Sequence, residues 1–126
     1  MTLRAINAAG APKPIAPYSP AIDTGGLVFV SGQIGADPAT GELLEGVAAQ
    51  AERVVKNIVA ILDAAGLTLS DVAKTTCFLA DINDFNEFNE VYARYFGEPK
   101  PARSTYAVAA LPKGARVEIE AIAVRG

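Results

Sequence analysis

The segment Val117 to Val124 reads VEIEAIAV, and its alternation constrains the fold more than any other stretch of the chain. In a strand, Val117, Ile119, Ala121 and Ala123 point one way and Glu118, Glu120, Ile122 and Val124 the other. The first set is wholly apolar and must be buried; the second is apolar over its latter half. The rest of the chain offers two segments of helical periodicity, and two helices can blanket only one face of a sheet of this width. An apolar sheet face with no cover predicts an interface between subunits. Chemistry placed on that face would sit between copies of the chain.

The remaining elements follow from local pattern. Leu3 to Asn7 is expected as a short edge strand. Ala8 to Pro20 reads as a loop, because Gly10, Pro12, Pro14, Pro17 and Pro20 interrupt regular structure. Thr24-Gly25-Gly26 supplies turn chemistry between a strand near Ala21 to Asp23 and a stronger one, Leu27 to Gly32, so the pair predicts a hairpin. Val47, Ala51, Val54, Ile58, Ile61 and Ala65 recur at three and four residue steps, giving a helix from about Gly46 to Ala65 with Gly66 as a left-handed cap. Glu52, Arg53, Lys56 and Asn57 mark its polar face. Val72 to Leu79 is a strand. A second helix begins at Asp84, which with Glu87 forms a variant of the capping box, and Phe85, Phe88, Tyr92 and Phe96 give its apolar spacing before Gly97 and Pro99 end it. Ala102 to Ala109 and Val117 to Val124 close the chain as strands. The expectation is an α+β fold over one domain, residues 1–126.

Composition narrows the chemistry. The chain has 126 residues, 51% of them hydrophobic, which suits one domain that buries a core without disulfide or metal staples. It contains no His and one Cys, Cys77, so the usual zinc ligand sets and a His-based triad are excluded. Any general base must be Asp, Glu, Lys or Tyr. Eleven bases against 14 acids give a net charge of −3, with no basic footprint for a phosphate backbone, so nucleic acid is not expected as the main partner. Neither Gly-rich phosphate motif occurs. The apolar runs are too short to span a bilayer, and the prolines interrupt any signal-peptide core, so a cytoplasmic, non-membrane protein is expected.

Polar residues inside strand-like runs are the candidates for function. Arg103 shares a face with Thr105, and Glu118 shares one with Glu120. If those two strands pair, a cation and carboxylates converge on one patch. Arg103 then either makes a cross-strand ion pair with Glu118 or Glu120, or grips a ligand carboxylate with its planar fork. Glu118 is either a solvated strand position or the holder of an attacking water, and Glu120 competes for either role. Tyr18 is a loop anchor or a ligand contact; by themselves Ser31 and Gly32 read as a plain turn and Asn89 as a solvated helix amide. Cys77 reads as a small core residue.

The segments Ala16-Pro17-Tyr18-Ser19-Pro20-Ala21, Phe29-Val30-Ser31-Gly32-Gln33-Ile34 and Asp81 through Asn89, with Pro101-Ala102-Arg103-Ser104, Leu111-Pro112-Lys113 and Val117-Glu118-Ile119-Glu120-Ala121, resemble the Rid (YjgF) family of reactive-intermediate deaminases over nearly the whole chain. The resemblance implies a chorismate-mutase-like subunit, with a mixed, mostly antiparallel sheet carrying both helices on one face. It also implies a homotrimer with a ligand cleft at each subunit interface and no cofactor or metal. The implied reaction is hydrolysis of enamine and imine acids (2-aminoacrylate, 2-iminopropanoate, 2-iminobutanoate) to 2-keto acids and ammonia. In that pattern Arg103 is the carboxylate-binding arginine and Glu118, rather than Glu120, positions the water. Tyr18, Ser31, Gly32, Asn89 and Thr105 complete the substrate-binding set. Thr105 stands where some members have Cys, so a thiol-dependent role at that position is unavailable here. A trimer that binds keto acids as a sensor without turnover is the alternative from another class. Ribonuclease activity, described for some relatives, fits poorly with the acidic balance.

Overall fold

In a computed structural model, which describes residues 2–126, six strands form one mixed sheet in the order β1-β2-β3-β6-β4-β5. The strands are β1 (Arg4–Ile6), β2 (Ala21–Asp23), β3 (Leu27–Ile34), β4 (Val72–Leu79), β5 (Ala102–Ala107) and β6 (Val117–Val124), with helices α1 (Val47–Ala64) and α2 (Phe85–Tyr95). Every adjacent pair is antiparallel except β4 with β5, which α2 connects as a parallel crossover. No helix of the described residues is long and apolar enough to cross a membrane.

Both helices lie on one face of the sheet. Val117, Ile119, Ala121 and Ala123 are buried beneath them, as the alternation requires, and meet Val54, Ile58 and Leu62 of α1. Phe88, Val91 and Tyr92 of α2 complete this core. Each large aliphatic or aromatic side chain removed from water in this way stabilises the fold by roughly 1.5 to 3 kcal/mol. On the opposite face Leu27, Phe29 and Val124 are exposed. The uncovered apolar face expected from the sequence is therefore present.

The structure corrects several local expectations. Asn57 does not sit on the polar face of α1: it is fully buried, donating through Nδ2 to the carbonyls of Ile34 at 3.2 Å and Ala36 at 3.0 Å, and accepting from Arg53 Nε at 3.0 Å. Those carbonyls lie just where β3 ends; that of Ile34 also accepts from the Ala36 amide at 2.8 Å, whereas that of Ala36 relies on Asn57. Asp84 does not cap α2. A single turn at Ile82–Asp84 precedes the helix, capped by the Asp81 carboxylate accepting from the Asn83 amide at 2.9 Å, while Asp84 instead pairs with Arg116. The helix stops at Tyr95, leaving Phe96 extended, and β5 stops at Ala107 rather than Ala109. β3 runs past Gly32 to Ile34, because a bulge between Val30 and Gln33 absorbs one residue without ending the ladder with β6.

One carboxylate fastens the edge of the sheet. Asp23 is buried and accepts from the Gly25 amide at 2.8 Å, Arg4 at 3.1 Å and Arg125 at 2.7 Å. Arg125 also donates to the Ala65 carbonyl at the end of α1, where a cation complements the helix dipole. The Gly25 hydrogen bond first, then the two arginines, hold the Asp23 carboxyl below its usual value against the opposing effect of burial. A carboxyl depressed on folding stabilises above its unfolded pKa and loses that contribution as pH falls through the folded one. Asp23→Asn is therefore expected to lower the Tm at neutral pH, with the gap to wild type closing in acid thermal melts. Asn57→Leu, which strands the Ala36 carbonyl, is expected to cost about 1 to 3 kcal/mol in urea denaturation.

Candidate active site

The bulge in β3 lies opposite Glu120 and reshapes the strand beside Glu118. Gly32 leaves the Glu118 carboxylate its place: a Cβ here would lie 2.9 Å from Glu118 Cδ, so the carboxylate would have to swing aside. Ser31 secures the neighbouring proline-rich strap, its Oγ donating to the Ser19 carbonyl at 2.6 Å and its amide to the Pro20 carbonyl at 2.9 Å. Tyr18, Ser31, Gly32 and Glu118 thus line a single cavity of about 710 Å³, open to the uncovered face. Glu120 does not line it and is exposed. The Glu118 carboxyl is pushed above its ordinary value, first by burial and then by the negative charge of Glu120. A carboxylate in this state is a better proton acceptor than a solvated one.

Arg103 lies elsewhere. In the β4–β5 ladder Arg103 is level with Thr75 and Thr105 with Cys77, and both β4 residues are fully buried on the helical face. The guanidinium rests on aromatic rings of α2, with its central carbon 4.8 Å from the Tyr92 centroid and 5.7 Å from those of Phe85 and Phe88. This shelf holds the cation by its face and leaves its edge donors open. Among the described residues no carboxylate pairs with Arg103. Asn89 follows Phe88 on the same helix. Asn89 Oδ1 and Thr105 Oγ1 are the buried side-chain atoms without a hydrogen-bond partner among the described residues. Such atoms cost about 1 to 3 kcal/mol each unless a ligand or water satisfies them.

Both single-chain arrangements considered for Arg103 and the glutamates are overturned by the strand order. β4 lies between β5 and β6, so the two strands do not pair. Glu118 is level with Phe78 on β4, whereas Arg103 is level with Thr75, and residues of odd and even position on β4 face opposite sides of the sheet. No ion pair with Glu118 or Glu120 forms, and one chain does not gather cation and carboxylates on one patch. Cys77, on the strand that separates those bearing these groups, is fully buried, and burial pushes its thiol up to about 11, so it is not a nucleophile. The sequence reading missed the aromatic shelf, since Phe85, Phe88 and Tyr92 carry the same spacing as an ordinary core stripe. It also missed the cavity wall made by Pro38 to Gly41 and Pro112-Lys113. The Leu111-Pro112-Lys113 part of the motif was the available signal for the latter.

Comparison with known proteins places this geometry in context. The model of the family described as Endoribonuclease L-PSP matches residues 8–125. The 2-iminobutanoate/2-iminopropanoate deaminase of Homo sapiens is 52% identical over 124 residues, covering 98% of this chain and 90% of its own. The structure of E. coli TdcF with bound serine superposes with a TM-score of 0.94 at 46% identity, covering 98% of this chain and 99% of that one. RidA from a Psychrobacter species gives a TM-score of 0.95 at 48% identity, over 97% and 99% of the two chains. With a matching family model and about half its residues shared along nearly its full length, the chain belongs to the endoribonuclease L-PSP family, the Rid family of deaminases whose motifs it carries.

Proposed function

We propose that this chain hydrolyses reactive enamine and imine acids, among them 2-aminoacrylate, 2-iminopropanoate and 2-iminobutanoate, to 2-keto acids and ammonia. The observation that carries the reading is the separation of two incomplete half-sites on opposite faces of one sheet. One holds an unpaired guanidinium beside two unsatisfied buried atoms, and the other a desolvated carboxylate in an open cavity. A second copy joins them. The 1–126 domain, chorismate-mutase-like in fold, would assemble as a cytoplasmic homotrimer in which β5 of one subunit approaches the Glu118 cavity of the next. Such closure would also cover Phe29 and Val124. Relatives named for this deaminase activity support the reaction, and the serine bound to E. coli TdcF supports a small carboxylate as ligand.

In this cleft Arg103 takes the substrate carboxylate through paired N–H donors, fixing the imine carbon toward the water held by Glu118. Glu118 accepts a proton as that water adds to the C=N carbon. That proton passes to the nitrogen to give the carbinolamine; Glu118 then carries the carbinolamine hydroxyl proton to the amine, and the C–N bond breaks as C=O forms, releasing ammonia. Water is the sole co-reactant, so atoms balance without an electron carrier. Tyr18, Ser31 and Gly32 shape one wall, and Asn89 and Thr105 satisfy the substrate from the other. The raised proton affinity of Glu118 favours turnover over the sensor reading, which needs only the arginine.

With imine generated by a threonine or serine dehydratase, Arg103→Ala is expected to lower kcat/KM about 10- to 150-fold, matching loss of charged hydrogen bonds worth roughly 1.5 to 3 kcal/mol. Glu118→Gln is expected to lower kcat about 10² to 10⁴ fold. Co-expressing the two inactive variants as mixed trimers should restore about one quarter of wild-type activity, since a cleft needs the arginine of one subunit and the glutamate of the next. Mixtures no more active than their parents would refute the shared cleft. Because Glu120 adds to the upward shift of Glu118, Glu120→Gln should move the Glu118 titration to lower pH in carboxyl NMR, while the larger contribution of burial keeps it above the ordinary value.

A further inference from the structure

The wall of the Glu118 cavity that the sequence reading missed is built from two segments distant in the chain. The loop between β3 and α1 contributes Pro38 to Gly41, and the turn before β6 contributes Pro112 and Lys113. The base of the loop is fixed several times over. Asn57 holds the carbonyls of Ile34 and Ala36, and the Leu44 amide donates to the Gly35 carbonyl at 3.0 Å. Buried Gln50 donates to the Leu44 carbonyl at 2.9 Å and accepts the Arg116 amide at 2.8 Å, tying the loop to the strand that bears Glu118. Gly35 has room for no side chain because a Cβ would lie 2.5 Å from the Gln50 Cα, so helix and loop base pack backbone to backbone.

The tip is held differently. Among the described residues its tie to another segment is Lys113, whose Nζ donates to the Gly41 carbonyl at 3.0 Å across 72 positions of sequence. Lys113 has φ 58 and ψ 16, the left-handed region that side chains other than Asn, Asp and Gly seldom occupy. Gly114 beside it also has positive φ, at 71. A glycine at 113 would take the same turn without strain, so the turn itself does not account for a lysine. Its tether to the loop tip does.

We infer that Lys113 is a specificity-determining residue: by fastening Gly41 it fixes the width of the cleft beside Glu118 and so limits the size of the side chain that an imine acid can carry. The inference rests on the deaminase reading above and adds to it a residue outside the reacting groups. Gln50 and Asn57 keep the loop base in place whether or not the tip is tied, so loss of the tether widens the mouth without moving Glu118.

The test uses the full chain and two imines made in place by an amino-acid oxidase with catalase, one from alanine and one from phenylalanine. The ratio of kcat/KM for the bulky imine to that for the small one is the readout. Lys113→Gly, which removes both tether and strain, is expected to raise that ratio about fivefold, the discrimination that one hydrogen bond typically confers. Lys113→Arg, which keeps a donor in reach of Gly41, is expected to leave it within about twofold of wild type. The Tm of Lys113→Gly should stay close to that of wild type, since relief of strain offsets the lost bond. An unchanged ratio in Lys113→Gly, with both imines still consumed, would overturn the inference and spare the deaminase reading. Failure of wild type to accelerate loss of either imine would overturn both.

Discussion

The register of β6 is the constraint on which the molecule depends. This strand pairs with β3 on one side and β4 on the other, so its position is set by two ladders at once. A slip of one residue would drive Glu118 and Glu120 into the core and turn Val117, Ile119, Ala121 and Ala123 outward. The desolvation cost of two buried carboxylates, together with the lost apolar burial, makes that alternative inaccessible. Fixing the core thus aims Glu118, and the bulge in β3 then clears the space above it. Fold and site are specified by the same alternation.

Much of this was legible in the amino-acid order because single-element periodicity reports burial directly. The two-residue repeat of Val117 to Val124 and the apolar stripe from Val47 to Ile61 gave the helical face of the sheet and the exposed opposite face. Features that depend on non-neighbouring segments were not legible. Asn57 looks like any polar residue facing water, since nothing near it reveals that the Ala36 carbonyl needs a donor. Asp84 has the spacing of a cap, yet Arg116 competes for its carboxylate from 32 positions away. The insertion of β4 between β5 and β6 is a matter of strand order, which composition and spacing leave open. It decides the site, because it parts the strands of Arg103 and Glu118, whose registers on β4 then put them on opposite faces.

The two half-sites are organised by opposite electrostatic means. Around Arg103 the protein supplies aromatic faces, which hold the cation in place without neutralising it, and leaves Asn89 Oδ1 and Thr105 Oγ1 without partners. Around Glu118 it supplies burial and a second negative charge, which raise the energy of the ionised form. Each arrangement is destabilising to an isolated chain and would be relieved when an acid and a water occupy the space between. The apolar core between the sheet and α1 carries the stability that this tension consumes.

The Asp23 clamp has a topological consequence. Arg4, near the beginning of the chain, and Arg125, next to its end, grip the same carboxylate oxygen. Arg4 on the edge strand β1 and Arg125 just beyond the interior strand β6 are therefore neighbours in space. A short peptide could bridge them, and the polypeptide could be reopened at an exposed bend such as Gly97–Glu98 to give a circular permutant with every ladder preserved.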